Sequence, residues 1–174
     1  MSKTIVTPMP RPQVTPMFRS PSRLPEAARG QIAGALAGTL ADGLDLHSQI
    51  KVAHWNVKGP NFAAFHPLFE AFATALAGFN DEVAERAVTL GARVGGTARG
   101  VAATSRLPEL PAEAVRDLEL AALLAERFEA YLDGVRAARA VAEKAGDQDT
   151  QDLLTGIVEA FEKNGWFLRA SLEK

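Results

Sequence analysis

Apolar residues return every three or four positions along four long stretches of the chain, and no segment alternates with period two. The first stretch opens at Pro25, carries Leu36, Leu40, Leu44, His47 and Lys51 on one spacing, and must stop at Gly59-Pro60. The second runs from Asn61 or Phe62 to Gly91 with Leu68, Phe72, Leu76, Phe79 and Val83 as its stripe. Pro67 interrupts it, which predicts either a kink near Ala63 or a regular helix starting close to His66. The third runs from Pro111 through Leu120, Leu124, Phe128, Tyr131 and Val135 to Gly146, a natural C-terminal stop. The fourth follows at once, capped by Asp147 or Asp149, with Leu154, Val158, Phe161, Gly165, Leu168 and Leu172 at core spacing. Between the second and third, residues 91–111 are rich in Gly, Thr, Ser and Pro and read as a long connection with room for one short helical turn. Short links at both ends and one long link in the middle predict an all-α four-helix bundle with a single crossover between helices two and three.

Composition changes this picture in two ways. With 174 residues, 47% of them hydrophobic, the chain buries one core, and residues 25–174 suffice for it. Six of the ten prolines fall at or before Pro25, together with Lys3, Arg11, Arg19 and Arg23 and no acid. Residues 1–24 are therefore expected to form an extended or disordered basic arm on an acidic body, the net charge of -2 hiding that asymmetry. The first 25 residues contain no signal-like apolar run and no unbroken apolar stretch of about 18 residues occurs, so a cytoplasmic protein without a membrane partner is expected.

The absence of cysteine excludes disulfides, zinc-thiolate sites, iron-sulfur clusters and thiol nucleophiles, so any metal must be held by His, Asp or Glu. Of three histidines, His54 and His66 flank the turn joining helices one and two. On helix two, His66 and Glu70 are four apart, as are Asp81 and Glu85, so each pair shares a face. Glu70 to Asp81 is about three turns, which returns to nearly the same angle, but the two pairs lie on the order of 16 Å apart along the axis. One helix cannot close a site of roughly 2 Å bonds. Helices three and four hold no histidine, so an antiparallel helix two from a two-fold related chain is expected to bring Asp81 and Glu85 beside His54, His66 and Glu70 of its partner. Such a mixed His-carboxylate set with open positions suits iron, and zinc or manganese fit the same donors.

The run KVAHWNVKGPNF from Lys51 to Phe62, followed by His66, Asp81 and the AER of residues 84–86, resembles the DNA-binding proteins from starved cells, or Dps, the miniature ferritins of bacteria. The likeness extends to Asp147-Gln148-Asp149-Thr150 and Trp166-Phe167. It implies a ferritin-like bundle assembled into a hollow dodecamer that oxidises Fe(II), preferentially with hydrogen peroxide, and stores ferric mineral while sparing DNA from Fenton damage. By this resemblance His54, His66, Asp81 and Glu85 match inter-subunit ferroxidase ligands, and Glu70 stands where Asp is usual. Trp55 matches an aromatic beside that site, and Asp147, Asp149 and Asp152 fall where iron-entry pores are lined.

Plainer readings stand beside these. His47 has no ligand counterpart and reads as structural; Trp55 and Trp166 are large core or interface side chains; Asp147, Asp149 and Asp152 also suit a helix N-terminus. The glycines at 91, 95, 96 and 100 lack the Lys and preceding strand of a phosphate loop. Lys3, Arg11, Arg19 and Arg23 form either a solvated arm or a salt-sensitive, sequence-independent DNA contact. The competing function is a structural DNA-compacting shell with a vestigial metal site, and a third is a bundle using zinc or manganese only for assembly.

Overall fold

A computed structural model describes residues 17–173. It contains α1 (Glu26–Asn56), α2 (Phe62–Thr89), α3 (Ala98–Thr104), α4 (Asp117–Ala145) and α5 (Gln148–Leu172). The architecture is all-α, and α1 packs against both α2 and α4 while α4 packs against α5. The short α3 lies within the long crossover between α2 and α4, against α1.

Most of the periodic positions are buried, while Leu44, Leu68, Phe79 and Leu172 are half-buried. Leu36, Leu46, Ile50, Leu76, Leu120, Leu124, Leu154 and Leu168 are fully enclosed. An aromatic ladder crosses the bundle, from Phe72 to Phe128 at 5.4 Å and from Phe128 to Phe161 at 5.1 Å, with Tyr131 edge-on to Phe161 at 5.5 Å. Each such side chain contributes about 1.5–3 kcal/mol by leaving water. Gly146 closes α4 at φ 74°, the left-handed cap that only glycine adopts at little cost.

The crossover is stapled down by buried polar groups. Asp42 accepts from the Arg106 backbone N–H and Nε, both at 2.9 Å. Arg127 donates to Gln49 Oε1 at 2.9 Å and to the Glu109 carbonyl at 2.7 Å, while Gln49 donates to Asp45 and to the Pro108 carbonyl, each at 3.1 Å. These bonds satisfy backbone that a long loop would otherwise leave unpaired.

One expected boundary changes, and the expected start of the second helix at Asn61 or Phe62 holds. The third predicted helix starts at Asp117 rather than Pro111, because Lys58 N–H donates to the Val115 carbonyl at 2.7 Å and its own carbonyl accepts from Asp117 N–H at 3.0 Å. This short extended pairing holds residues 115–116 out of helix. Conversely α2 begins at Phe62 and runs through Pro67, so its regular part does not wait for His66.

The end of the arm is tied to the bundle. Phe18 N–H donates to the Gly91 carbonyl at 2.6 Å, Ser20 Oγ to the Thr89 carbonyl at 2.8 Å, and the buried Arg29 guanidinium to the Leu90 carbonyl at 2.7 Å. Arg19 and Arg23 are exposed there, whereas Lys3 and Arg11 lie outside the described residues. Although polar residues punctuate α2, an 18-residue window of it has a mean hydropathy of 1.3, making it long and apolar enough to cross a membrane by length and composition. Only 28% of that window is buried within the chain. A face of α2 that includes Ala71, Thr74, Ala75 and Gly78 stays open, between Glu70 and Asp81.

Candidate metal centre

His54 sits in the last turn of α1 and His66 in the second turn of α2, where the tight turn between the helices stacks their rings at 3.8 Å and 22°. The two residues exchange hydrogen bonds. His54 Nδ1 donates to the His66 carbonyl at 2.8 Å, and His66 Nδ1 donates to the His54 carbonyl at 3.0 Å. A carbonyl oxygen only accepts, so both Nδ1 atoms carry the proton and, in the neutral rings, both Nε2 atoms keep their lone pair. The His54 carbonyl is one of those a helix C-terminus leaves without an intrahelical donor, and the His66 ring supplies it. Phe62 stacks on the outer side of His66 at 5.0 Å.

Glu70 lies one turn beyond His66, its Oε2 3.3 Å from His54 Nε2. The same oxygen accepts from the Lys51 ammonium, which holds the Glu70 carboxyl below its usual range. Lys51 in turn lies 5.9 Å from the centre of the exposed Trp55 ring. His47, half-buried one turn earlier on α1, is pushed below its ordinary value, first by burial and then by Lys51, with Glu70 opposing. Its imidazole is therefore neutral near pH 7.

The chain thus sets His54 beside both His66 and Glu70 and does not bring Asp81 or Glu85 to them. Those two acids are exposed farther along α2, about three turns away. Among the described residues no three His, Asp or Glu side chains gather closely enough to hold one ion.

The three acids of the α5 start differ from one another. Asp147 caps α5, accepting from Thr150 N–H at 3.3 Å and Thr150 Oγ1 at 2.5 Å, and is 4% exposed. Arg86, next to Glu85 on α2, donates to Asp147 at 2.6 Å and to Thr150 Oγ1 at 2.8 Å. Asp149 and Asp152 face solvent.

Three contacts had no local signal in the sequence: the Lys51–Glu70 pair, the Arg86–Asp147 pair and Asp117. The last accepts from Asn61 N–H at 2.7 Å across the turn between the two histidines. The residue types were visible, but their pairing joins different helices.

Comparison with known proteins agrees with this geometry. A ferritin-like domain matches residues 33–174. The "DNA protection during starvation protein" of Agrobacterium fabrum is 34% identical over 151 residues, covering 87% of this chain and 93% of the relative. The protein of that name from Mycolicibacterium smegmatis is 35% identical over 152 residues, 86% of this chain and 81% of the relative. DpsA14 from Streptomyces coelicolor superposes with a TM-score of 0.87 at 31% identity, covering 92% of this chain and 95% of that one. A Dps protein from Vibrio cholerae, described as one of the ferritin-like diiron-carboxylate proteins, superposes at 0.82 with 28% identity, covering 86% and 94%. Bundle, crossover and sequence likeness run together over nearly the whole body, so the chain belongs to the Dps family of ferritin-like proteins.

Proposed function

We propose that this protein is a ferroxidase and iron store that oxidises Fe(II) at sites shared between two-fold related subunits, with hydrogen peroxide as the preferred oxidant. The observation that carries the reading is the reciprocal His54–His66 pair, which leaves both Nε2 lone pairs free, that of His54 3.3 Å from Glu70. Two imidazoles and a carboxylate fit iron and leave positions open for the oxidant. Asp81 and Glu85 of a second chain complete the donors, and the open small-residue face of α2 between the two groups is the surface along which an antiparallel copy packs. Each Fe(II) gives up one electron; two reduce one peroxide, whose O–O bond breaks to yield two water molecules once two protons are taken up. Consuming both Fenton reactants together protects nearby DNA, the role stated in the name of the Agrobacterium relative.

In this reading the chain assembles into a dodecamer, a proposal supported by its membership of the Dps family, and the chemistry takes place at a cage. Exposed Asp149 and Asp152 are the acids available to line an entry pore, while the Asp147 oxygens are committed to Arg86 and Thr150. The arm, with Arg19 and Arg23 exposed at its base, supplies a nonspecific DNA contact in the cytoplasm. Stopped-flow Fe(II) oxidation with peroxide or oxygen, run on the parent, His54→Ala and Asp81→Ala, tests the reading. Loss of oxidation in both variants supports it, and so does recovery on mixing the two. Parent protein that protects DNA without consuming Fe(II) leaves the structural shell instead.

A further inference from the structure

The two imidazoles meet across the turn of residues 57–61, which is held by bonds to the start of α4. Lys58 is pinned from both sides by Val115 and Asp117 backbone groups, at 2.7 and 3.0 Å. Asn61, at the cap of α2, donates its N–H to Asp117 Oδ2 at 2.7 Å. Gly59, at φ 149°, lays its backbone so close to the same carboxylate that an added Cβ would overlap it. Asp117 is 5% exposed, and its other oxygen accepts from Leu118 N–H at 2.9 Å, so the first turn of α4 orients it. The Asn61 bond, first among its partners, holds this carboxyl below the usual range.

We propose that Asp117 is a positioning residue for the metal centre, setting through the backbone of residues 58–61 the register in which His54 and His66 exchange their Nδ1–H···O bonds. The inference rests on the reading above only in treating the imidazoles as metal ligands. Asp117 touches neither ring. Both ring-to-carbonyl bonds, at 2.8 and 3.0 Å, span the joint between α1 and α2, and a slip of about 1 Å there takes both beyond hydrogen-bond reach. The rings then lose the tautomer and orientation that present Nε2. Loss of such an outer partner lowers metal affinity by about 10–100-fold.

The test uses the assembled full chain, Co2+ as probe, and three variants: Asp117→Asn, Asp117→Ala, and Phe161→Leu as a core control remote from the turn. Histidine C2-hydrogen exchange, followed by mass spectrometry on metal-stripped protein, reads each imidazole separately, with His47 as internal reference. Asp117→Ala is expected to speed exchange at His54 and His66 relative to His47 and to weaken Co2+ binding about tenfold. Asp117→Asn, which keeps one acceptor, falls between it and the parent, and Phe161→Leu keeps parental exchange and affinity. Parental exchange at both histidines in Asp117→Ala overturns the proposal, as does an equal acceleration in Phe161→Leu. If Asp117→Ala does not assemble, Asp117→Asn alone decides by the same exchange comparison. A parent that takes up no Co2+ sinks the metal reading, while the exchange rates still judge the positioning role.

Discussion

Glu70 on α2 and Lys51 on α1 form a salt bridge at the edge of the histidine pair, with 46% and 23% of their side chains exposed. A cation arriving at Glu70 must share this carboxylate with the ammonium or displace it. The pair also sets the pH at which Glu70 itself is lost as a donor, below the ordinary histidine range in which protons already compete with a metal for imidazole nitrogens. Because the Glu70 carboxyl is held below its usual range, its ionised form is favoured above the ordinary glutamate value and is lost only as pH falls through the lowered one. Lys51→Met is expected to tighten Co2+ binding by at most about fivefold at pH 7, since a partly exposed ion pair contributes little. It should also raise the pH at which the Glu70 carboxyl takes up its proton. Titrations at a series of pH values check both shifts, and opposite signs in either would contradict the account.

Gly59 is the narrowest point of the turn that joins the two histidine helices. Its φ of 149° is strained for other residues, and its missing Cβ is the space the Asp117 carboxylate fills. Gly59→Ala should lower stability by about 1–3 kcal/mol, read as a shift in the urea midpoint with unchanged slope. Gly78→Ala, on the open face of α2 with no neighbouring atom in reach, should leave the stability of the isolated chain unharmed. If Gly78→Ala nevertheless impairs assembly, that surface is covered by another subunit.

Arg86 ties the far half of α2 to the start of α5, one residue after Glu85. Its partner Asp147 has a side chain only 3% exposed, whereas the Asp149 side chain, 3.7 Å away, is 86% exposed. Arg86→Ala strands a buried carboxylate and should cost about 2–4 kcal/mol, below the full range for buried pairs because the arginine itself is partly solvated. Asp149→Ala should change thermal stability by less than about 0.5 kcal/mol. Calorimetry on both separates the buried pair from the surface one.

What was legible in the chain follows from how far apart the interacting residues lie. Leu36, Leu40, Phe72, Leu76, Phe128 and Phe161 declare the bundle through local periodicity, and each is buried as that spacing requires. His54 and His66 were readable as a pair because one short turn separates them. Asp147 was readable as a cap because its acceptor role is local. The start of α4 was not, since Pro111 looks like a first-turn proline until Lys58 claims Val115 from another part of the chain. Asp117 and Arg86 were invisible as clamps for the same reason, their partners standing 56 and 61 residues away. Asp81 and Glu85 remain apart from the histidines in the chain itself, so the shared site proposed above rests on the rise along α2 and not on a contact within one chain.

The basic arm divides at the point where it meets the bundle. Phe18 and Ser20 are tied to Gly91 and Thr89, which holds the segment carrying Arg19 against the body, while Lys3 and Arg11 lie outside the described residues. If the arm contacts DNA through phosphates, each neutralised charge contributes about 0.9 to the slope of log affinity against log salt. Lys3→Ala with Arg11→Ala, and separately Arg19→Ala with Arg23→Ala, should therefore each reduce that slope per subunit engaged, measured by plasmid retardation from about 50 to 200 mM salt. A double substitution that weakens retardation without changing the slope would mean that the arm acts through packing rather than charge. Fe(II) oxidation should be unchanged in both, because none of the four residues lies between His54 and Glu85. If oxidation falls with DNA binding, the arm is coupled to the bundle through the Phe18–Gly91 bond rather than hanging from it.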